Sequence, residues 1–292
     1  MKIPSSVRSP RFLRKLCLLF TGAAGGLVAL PSHADEHFFG WVRGAETLPA
    51  GHADAYQFIT LRTGKAGGRY HGWDFDTEVE YGITDRLQVG ISVEQHYFDI
   101  NDVEELDDQN RYRWGGVEFS GKYRVLSPFK DPVGLAVRVE GGYLSFDDVA
   151  GLEQEEIFID PELVLHKNFL DDTLIFNFNM GAQWAWGKQP AEEYNKEVAL
   201  HAGLGVAYRF APGWFIGVET HVRSEYPLFD LNHHEHTVLF AGPSLHYASE
   251  KWWATFSYGY QVYGSGIDEP DNGKTYAEET RNEMRLKVGF NF

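Results

Sequence analysis

Cysteine is all but absent from this 292-residue chain: the one thiol, Cys17, lies inside an N-terminal apolar run. No disulfide framework can hold the remainder together, so its stability must come from elsewhere. Basic residues are also scarce, with 26 Lys and Arg against 42 Asp and Glu and a formal net charge of -16. That balance argues against nucleic acid as a partner. Beyond the N-terminus there is no long apolar run, which excludes a bundle of membrane-spanning helices. There is no G-x-S-x-G motif, no spacing that marks a catalytic triad, and no EF-hand loop. Catalysis and bound cofactors are therefore not expected, and no residue is assigned as a metal ligand.

What is present starts with a leader. Arg8, Arg11, Arg14 and Lys15 precede an apolar stretch from Leu16 to Leu30, and Ser32-His33-Ala34 has the small-x-small pattern of a cleavage site. Residues 1–34 are read as a secretory signal peptide, the apolar stretch being too short for a spanning helix. Residues 35–51 have no sustained period and form either a periplasmic lead-in or a segment folded into a lumen. Residues 52–292 carry the fold.

The body is rich in aromatics (Phe 21, Tyr 15, Trp 8) and in Gly (31), and its apolar side chains are spread over alternate positions. The end of the chain shows this best. Met284, Leu286, Val288, Phe290 and Phe292 alternate with Glu283, Arg285, Lys287, Gly289 and Asn291. A strand puts successive side chains on opposite faces, so one face is apolar and the other charged or small. An aromatic last residue resembles the C-terminal assembly signal of bacterial outer-membrane barrels, which assigns Phe290 and Phe292 to that signal.

Twelve such segments follow His52, each long enough to cross a bilayer when tilted, which takes about 9–11 residues. Short connections (83–86, 127–132, 168–172, 211–213, 249–251) alternate with longer ones (63–72, 99–111, 147–155, 187–196, 227–235, 264–278). Short periplasmic turns, long external loops and an even strand number describe an all-β, transmembrane, antiparallel up-and-down β-barrel.

The phase of each strand then selects a lumen-lining set. It comprises Asp74, Asp76, Glu78, Glu80, Glu94, Glu118, Lys122, Arg124, Arg138, Glu140, Asp160, Glu162, Arg209, Glu219, His221, Arg223, Glu283, Arg285 and Lys287. Four consecutive inward acids, Asp74 to Glu80, would be costly in a sandwich core but are tolerable in a wet lumen. The phase of the first strand stays open. Two further features are weighed against an ordinary solvated loop. The acid-rich stretch Asp99–Asn110 has the composition to hold divalent cations bridging lipopolysaccharide. In the His233–His236 run, at most His234 and His236 share a side. Ser244 with His246, and Glu219 with His221, are inward but unarranged as catalytic parts.

The stretches Gly40–His52 (GWVRGAETLPAGH), Gly72–Ser92 (GWDFDTEVEYGITDRLQVGIS) and His234–Thr255 (HEHTVLFAGPSLHYASEKWWAT) resemble a poorly characterised family of Gram-negative outer-membrane barrels. That family is akin to the barrels named for the meta-cleavage pathway of phenol degradation. The resemblance implies an outer-membrane location and a transport role; it supplies no catalytic residues and no solute.

The expectation is thus a passive pore or uptake channel for a small solute in the outer membrane of a Gram-negative bacterium. Its partners are outer-membrane lipid and lipopolysaccharide and the barrel-assembly machinery. The alternatives are a closed structural or surface-interaction barrel and, behind both, a membrane-embedded hydrolase. If the terminal strand carries the assembly signal, Phe292→Asp should abolish the folded, heat-modifiable band on unheated gels. Recovery of that band at the normal level would contradict it.

Overall fold

The computed structural model describes residues 37–104, 106–147, 149–188, 195–266 and 273–292. The expected signal peptide lies outside the described residues. Twelve strands run β1 Ala53–Thr63, β2 Gly67–Thr84, β3 Leu87–Val103, β4 Gln109–Leu126, β5 Gly134–Phe146, β6 Glu153–Phe169, β7 Leu174–Lys188, β8 Asn195–Ala211, β9 Trp214–Pro227, β10 His236–Ala248, β11 Trp252–Gly266 and β12 Asn282–Asn291. Each pairs antiparallel with its neighbours in sequence, and β1 pairs with β12, so the sheet is a closed barrel without an edge. At the seam, Arg62 lies opposite Glu283 and Ala55 opposite Phe290. Ala53 and Phe292 exchange both backbone hydrogen bonds, at 3.2 and 2.8 Å.

All twelve segments found by periodicity are strands. The main difference lies at the external ends, where the 63–72 and 99–111 connections shrink to a few residues. Gly67–Gly72 continues β2, and its residues pair with Phe98–Val103 of β3. These hairpins project past the bilayer, where neither face is obliged to be apolar, so no alternation marks them in the sequence.

The outward face is an apolar belt. Val79, Ile91, Val137, Val139, Leu163, Met180, Leu204, Val206, Ile216, Val218 and Leu286 are all exposed, a surface that a soluble protein would not present and that lipid accepts. Aromatics border the belt at both rims. Tyr81, Tyr123, Tyr208, Trp214, Trp252 and Phe290 mark the end with short turns, and Tyr112, Trp114, Tyr143 and Tyr263 the other. Amphipathic rings settle at such membrane–water boundaries. Pro161 and Pro243 sit where the ladders to β7 and β11 skip residues, which suits a residue without an N–H to donate.

The first strand resolves its open phase. Tyr56, Phe58, Thr60 and Arg62 are buried and face inward. Because Tyr56 and Phe58 are inward aromatics, both faces of β1 carry apolar side chains and the alternation does not mark the lumen side. A charge on the lipid face should be far more damaging than one in the wet interior: Leu204→Arg or Leu286→Arg should destabilise the barrel by about 2–4 kcal/mol in denaturant refolding into vesicles. Inward Gln154→Arg should stay within about 1 kcal/mol; equal losses at both sets would mean that the outer face is not the one in lipid.

Candidate functional site

The lumen is divided by the chain's own N-terminal segment. Residues 37–48 lie across the end of the barrel that carries the short turns, touching strands around nearly the whole circumference. The His37 ring stacks on Trp253 at 4.3 Å, and its carbonyl accepts a hydrogen bond from Thr255 Oγ1. Burial, followed by the nearby Lys287 and Arg43 cations, holds His37 well below its ordinary pKa, so its imidazole is neutral. Phe38, Phe39 and Val42 form an apolar cluster with Ile175, Ala207 and Phe215 of the wall. Glu46 meets His166 Nδ1 at 2.8 Å, Leu48 N–H donates to Gln88 Oε1 at 2.9 Å, and Thr47 Oγ1 donates to the Asp85 carbonyl in the β2–β3 turn.

The centre of this crossing is one carboxylate. Glu219 Oε1 accepts the Gly40 N–H at 2.7 Å, and its Oε2 accepts those of Trp41 and Val42 at 2.9 and 3.4 Å. Asn179 grips the next residue from both sides, taking the Arg43 N–H at 2.6 Å and donating to its carbonyl at 3.0 Å. Three consecutive backbone donors in an irregular buried segment have no ladder partner, so the wall must supply their acceptors. The Arg43 cation is buried too. Burial and neighbouring Arg138 disfavour it, but the carboxylates of Glu140, Glu162 and Glu78 outweigh them and raise its pKa.

Small wall residues make room for the segment. A Cβ added to Gly205 would stand 2.7 Å from the Phe39 ring, one on Gly203 3.0 Å from Val42 Cγ2, and one on Gly217 3.1 Å from Phe39. These glycines are not spare lumen volume; they are the socket of the segment.

On the other side of this floor lies a cavity of about 740 Å³, reaching from Trp41, Arg43 and Asn179 to the external segments around Lys65, Glu104 and Glu278. Its lining holds sixteen Asp and Glu side chains against eight Lys and Arg. Many are cross-braced. Arg62 joins Asp74 at 2.5 Å and Glu283 at 3.5 Å, Asp74 meets His96 at 2.8 Å, and Glu283 meets His221 at 3.1 Å, a chain spanning several strands. His201 pairs with Asp160 at 2.8 Å, and Arg138 with Glu140. Arg285 donates to the Gly40 carbonyl at 3.3 Å and lies over the Trp41 ring, tying wall to floor.

The expected lumen set divides accordingly. Asp74, Asp76, Glu94, Glu118, Arg138, Glu140, Asp160, Glu162, His221, Arg223, Glu283 and Arg285 line the cavity. Glu78, Glu80, Lys122, Glu219 and Lys287 are buried and do not line it. Arg124 and Arg209 reach the turn carbonyls of Asp85 and Asp171. Periodicity selects the inward face but is blind to what fills it, so it could not tell these groups apart.

Residues not singled out from sequence include Arg62, His96 and Gln88; for residues 35–51 the sequence left a periplasmic lead-in and a lumen segment open, and residues 37–48 lie in the lumen against Glu219, Asn179 and Gln88, with Gly203 and Gly205, small on an otherwise charged face, making room for them. His234 turns to Thr237 Oγ1 at 2.7 Å and to the Tyr226 ring, and His233 to Asp230, so His234 and His236 do not share a site. In the acid-rich stretch, Asp108 accepts from Asn101 Nδ2 and the Asp102 N–H. His246 Nδ1 contacts Thr255 Oγ1 at 2.7 Å rather than Ser244, and Glu219 is committed to the floor.

The sequence profile of a family of unknown function (DUF6662) matches residues 31–292. No curated protein matches. Among solved structures, the barrel is similar to the COG4313 outer membrane channel from Pseudomonas putida F1, with 13% identity over 85% of this chain and 98% of that one and a TM-score of 0.59. It is also similar to the beta domain of the Bordetella autotransporter Brka, with 12% identity, 83% and 100% coverage and a TM-score of 0.52. The fold is that of outer-membrane β-barrels.

Removing the Glu219 acceptor should loosen the floor without opening the barrel. Hydrogen bonds to a charged group contribute about 1.5–3 kcal/mol. Glu219→Ala should therefore speed amide exchange at Gly40, Trp41 and Val42 by at least about tenfold, while strand amides stay protected; unchanged exchange at those three would show that the carboxylate does not hold them.

Proposed function

The chain belongs to the family of unknown function DUF6662, and on that premise we propose that it is an outer-membrane pore for small polar solutes, closed at its periplasmic end by residues 37–48. The observation that carries this reading is the 740 Å³ charged vestibule ending on a floor held by noncovalent contacts. A purely structural barrel has no need of a large wet chamber. An apolar solute gains nothing from such a lining, whereas hydrated cations are concentrated by it. The kinship with meta-pathway barrels, carried by the motifs at Gly40–His52 and Gly72–Ser92, is retained as part of this proposal for architecture and transport role, not for an aromatic solute. Outer-membrane lipid and lipopolysaccharide surround the pore in this reading, and the assembly machinery inserts it.

The role of the floor is mechanical. It excludes free diffusion while the wall's carboxylates and amides hold it, and conduction requires at least part of it to leave. Nothing in the proposal needs a covalent step, and His221 and His246 serve hydrogen bonding and ring packing. The second reading, a closed structural barrel, is favoured by how many strands the floor braces at once.

Planar-bilayer recordings separate the two. The unmodified protein should show small, cation-preferring conductance, and deletion of residues 37–48 should raise it severalfold. Glu94→Gln, Glu118→Gln and Glu156→Gln together should move the reversal potential in a salt gradient towards no selectivity. Silence from both the full chain and the deletion would leave the structural barrel as the better account.

A further inference from the structure

At the external mouth, the end of β9, the start of β10 and the segment leading into β12 bring five titratable side chains together: Glu225, Glu235, His236, Glu278 and Glu279. Two strand connections, β9–β10 and β11–β12, converge here, so the cluster is a product of the fold. His236 is its centre. The residue is only 5% exposed, and both of its ring nitrogens are buried without a hydrogen-bond partner. An imidazole in that state is costly unless something satisfies it.

The neighbouring carboxylates stand at a telling distance. Glu225 is 3.8 Å from His236 Nδ1, and Glu279 Oε1 is 3.8 Å from Nε2. That is too long for a hydrogen bond. The two ring nitrogens point apart, so one cation takes only one of them; a carboxylate 3.8 Å from that nitrogen stands near the separation of two ligands on one cation, since with metal–nitrogen and metal–oxygen bonds near 2.0–2.2 Å tetrahedral ligands lie about 3.4 Å apart. One ligand atom each from Glu225, His236 and Glu279 lie within 4.8 Å of one another, and Glu235, His236 and Glu278 form a second such set.

The framework is built independently of any ion. The Glu235 N–H donates to the Glu225 carbonyl at 2.9 Å, closing β9 on β10. Lys65 Nζ donates to the Ala277 and Glu278 carbonyls at 2.6 and 3.0 Å, and Gln261 Nε2 to those of Thr275 and Thr280. The backbone carrying Glu278 and Glu279 is therefore fixed against the wall.

From the buried, unsatisfied imidazole and the two carboxylate pairs facing it, we propose that the mouth binds a divalent transition cation of the zinc class, with His236, Glu225 and Glu279 as ligands. Imidazole with carboxylates suits zinc, whereas calcium and magnesium favour all-oxygen sets of higher number. Glu235 and Glu278 make up a second pair on the same imidazole. Such a cation ties the β9–β10 hairpin to the segment before β12, directly on the route into the vestibule. The site stands whether or not the barrel conducts.

The test uses the full folded protein in detergent, stripped with a chelator, and zinc as the probe in titration calorimetry. Saturable binding of one zinc per barrel is expected, with calcium at tenfold excess failing to displace it. His236→Gln and Glu279→Gln should each weaken binding at least tenfold, while His233→Gln and His234→Gln, whose rings turn elsewhere, should not change it. Heat-modifiable migration of each variant shows that the barrel is intact. No saturable zinc binding in the unmodified protein would overturn the proposal and leave His236 as an imidazolium bridge between acids. Native binding by His236→Gln, or displacement by calcium, would overturn it in favour of a plain acid cluster.

Discussion

A closed antiparallel ladder leaves no choice about its two faces: every second side chain meets lipid, and every other one is confined with its counterparts inside. The apolar half of that bargain is simple, since any aliphatic residue serves. The inner half carries the difficulty, because charged groups removed from bulk water must find partners. In this barrel they find them in two ways. In the vestibule they pair across strands, as in the run Glu283, Arg62, Asp74, His96. Below it they clamp a length of the protein's own backbone.

The floor and its wall therefore depend on each other. Phe39 and Val42 need Gly205, Gly217 and Gly203 to be small. The bare N–H groups of Gly40, Trp41 and Val42 need Glu219, and Glu219 needs them, since a buried carboxylate without donors is costly. Arg43 answers the surplus of acids around Arg138. For the pore proposed above, such an arrangement serves where a disulfide or a continuous strand would not. Polar clamps release one at a time into water, and the ladder that bears the fold is untouched.

Strand number, pairing order and the lipid face were legible in the sequence because a period of two, enforced by the bilayer, is written in the spanning segments after the first. Beyond the membrane that enforcement ends, which is why Gly67–Gly72 and Asp99–Val103 look like loops yet pair as strands. The first strand hid its phase because Tyr56 and Phe58 face inward against His37 and Trp253. The floor left no periodic signal at all, its conformation being dictated by the wall rather than by local propensity. Nor could periodicity separate Glu219, a clamp, from Glu118, a vestibule residue. Both are inward acids, and only tertiary context divides them.

The central claim is that residues 37–48 sit inside the barrel and close it, and a cross-link addresses that most directly. A Cβ at Gly203 would stand 3.9 Å from Val42 Cβ, within the 3.5–4.5 Å range of a disulfide, and the only native thiol is Cys17, ahead of the described residues. In Val42→Cys/Gly203→Cys protein taken from oxidised outer membranes, the account predicts a disulfide in most molecules and a conductance that rises on deletion of the segment but never while the bond is intact. Two free thiols, both open to a small reagent added from the periplasmic side, would contradict it.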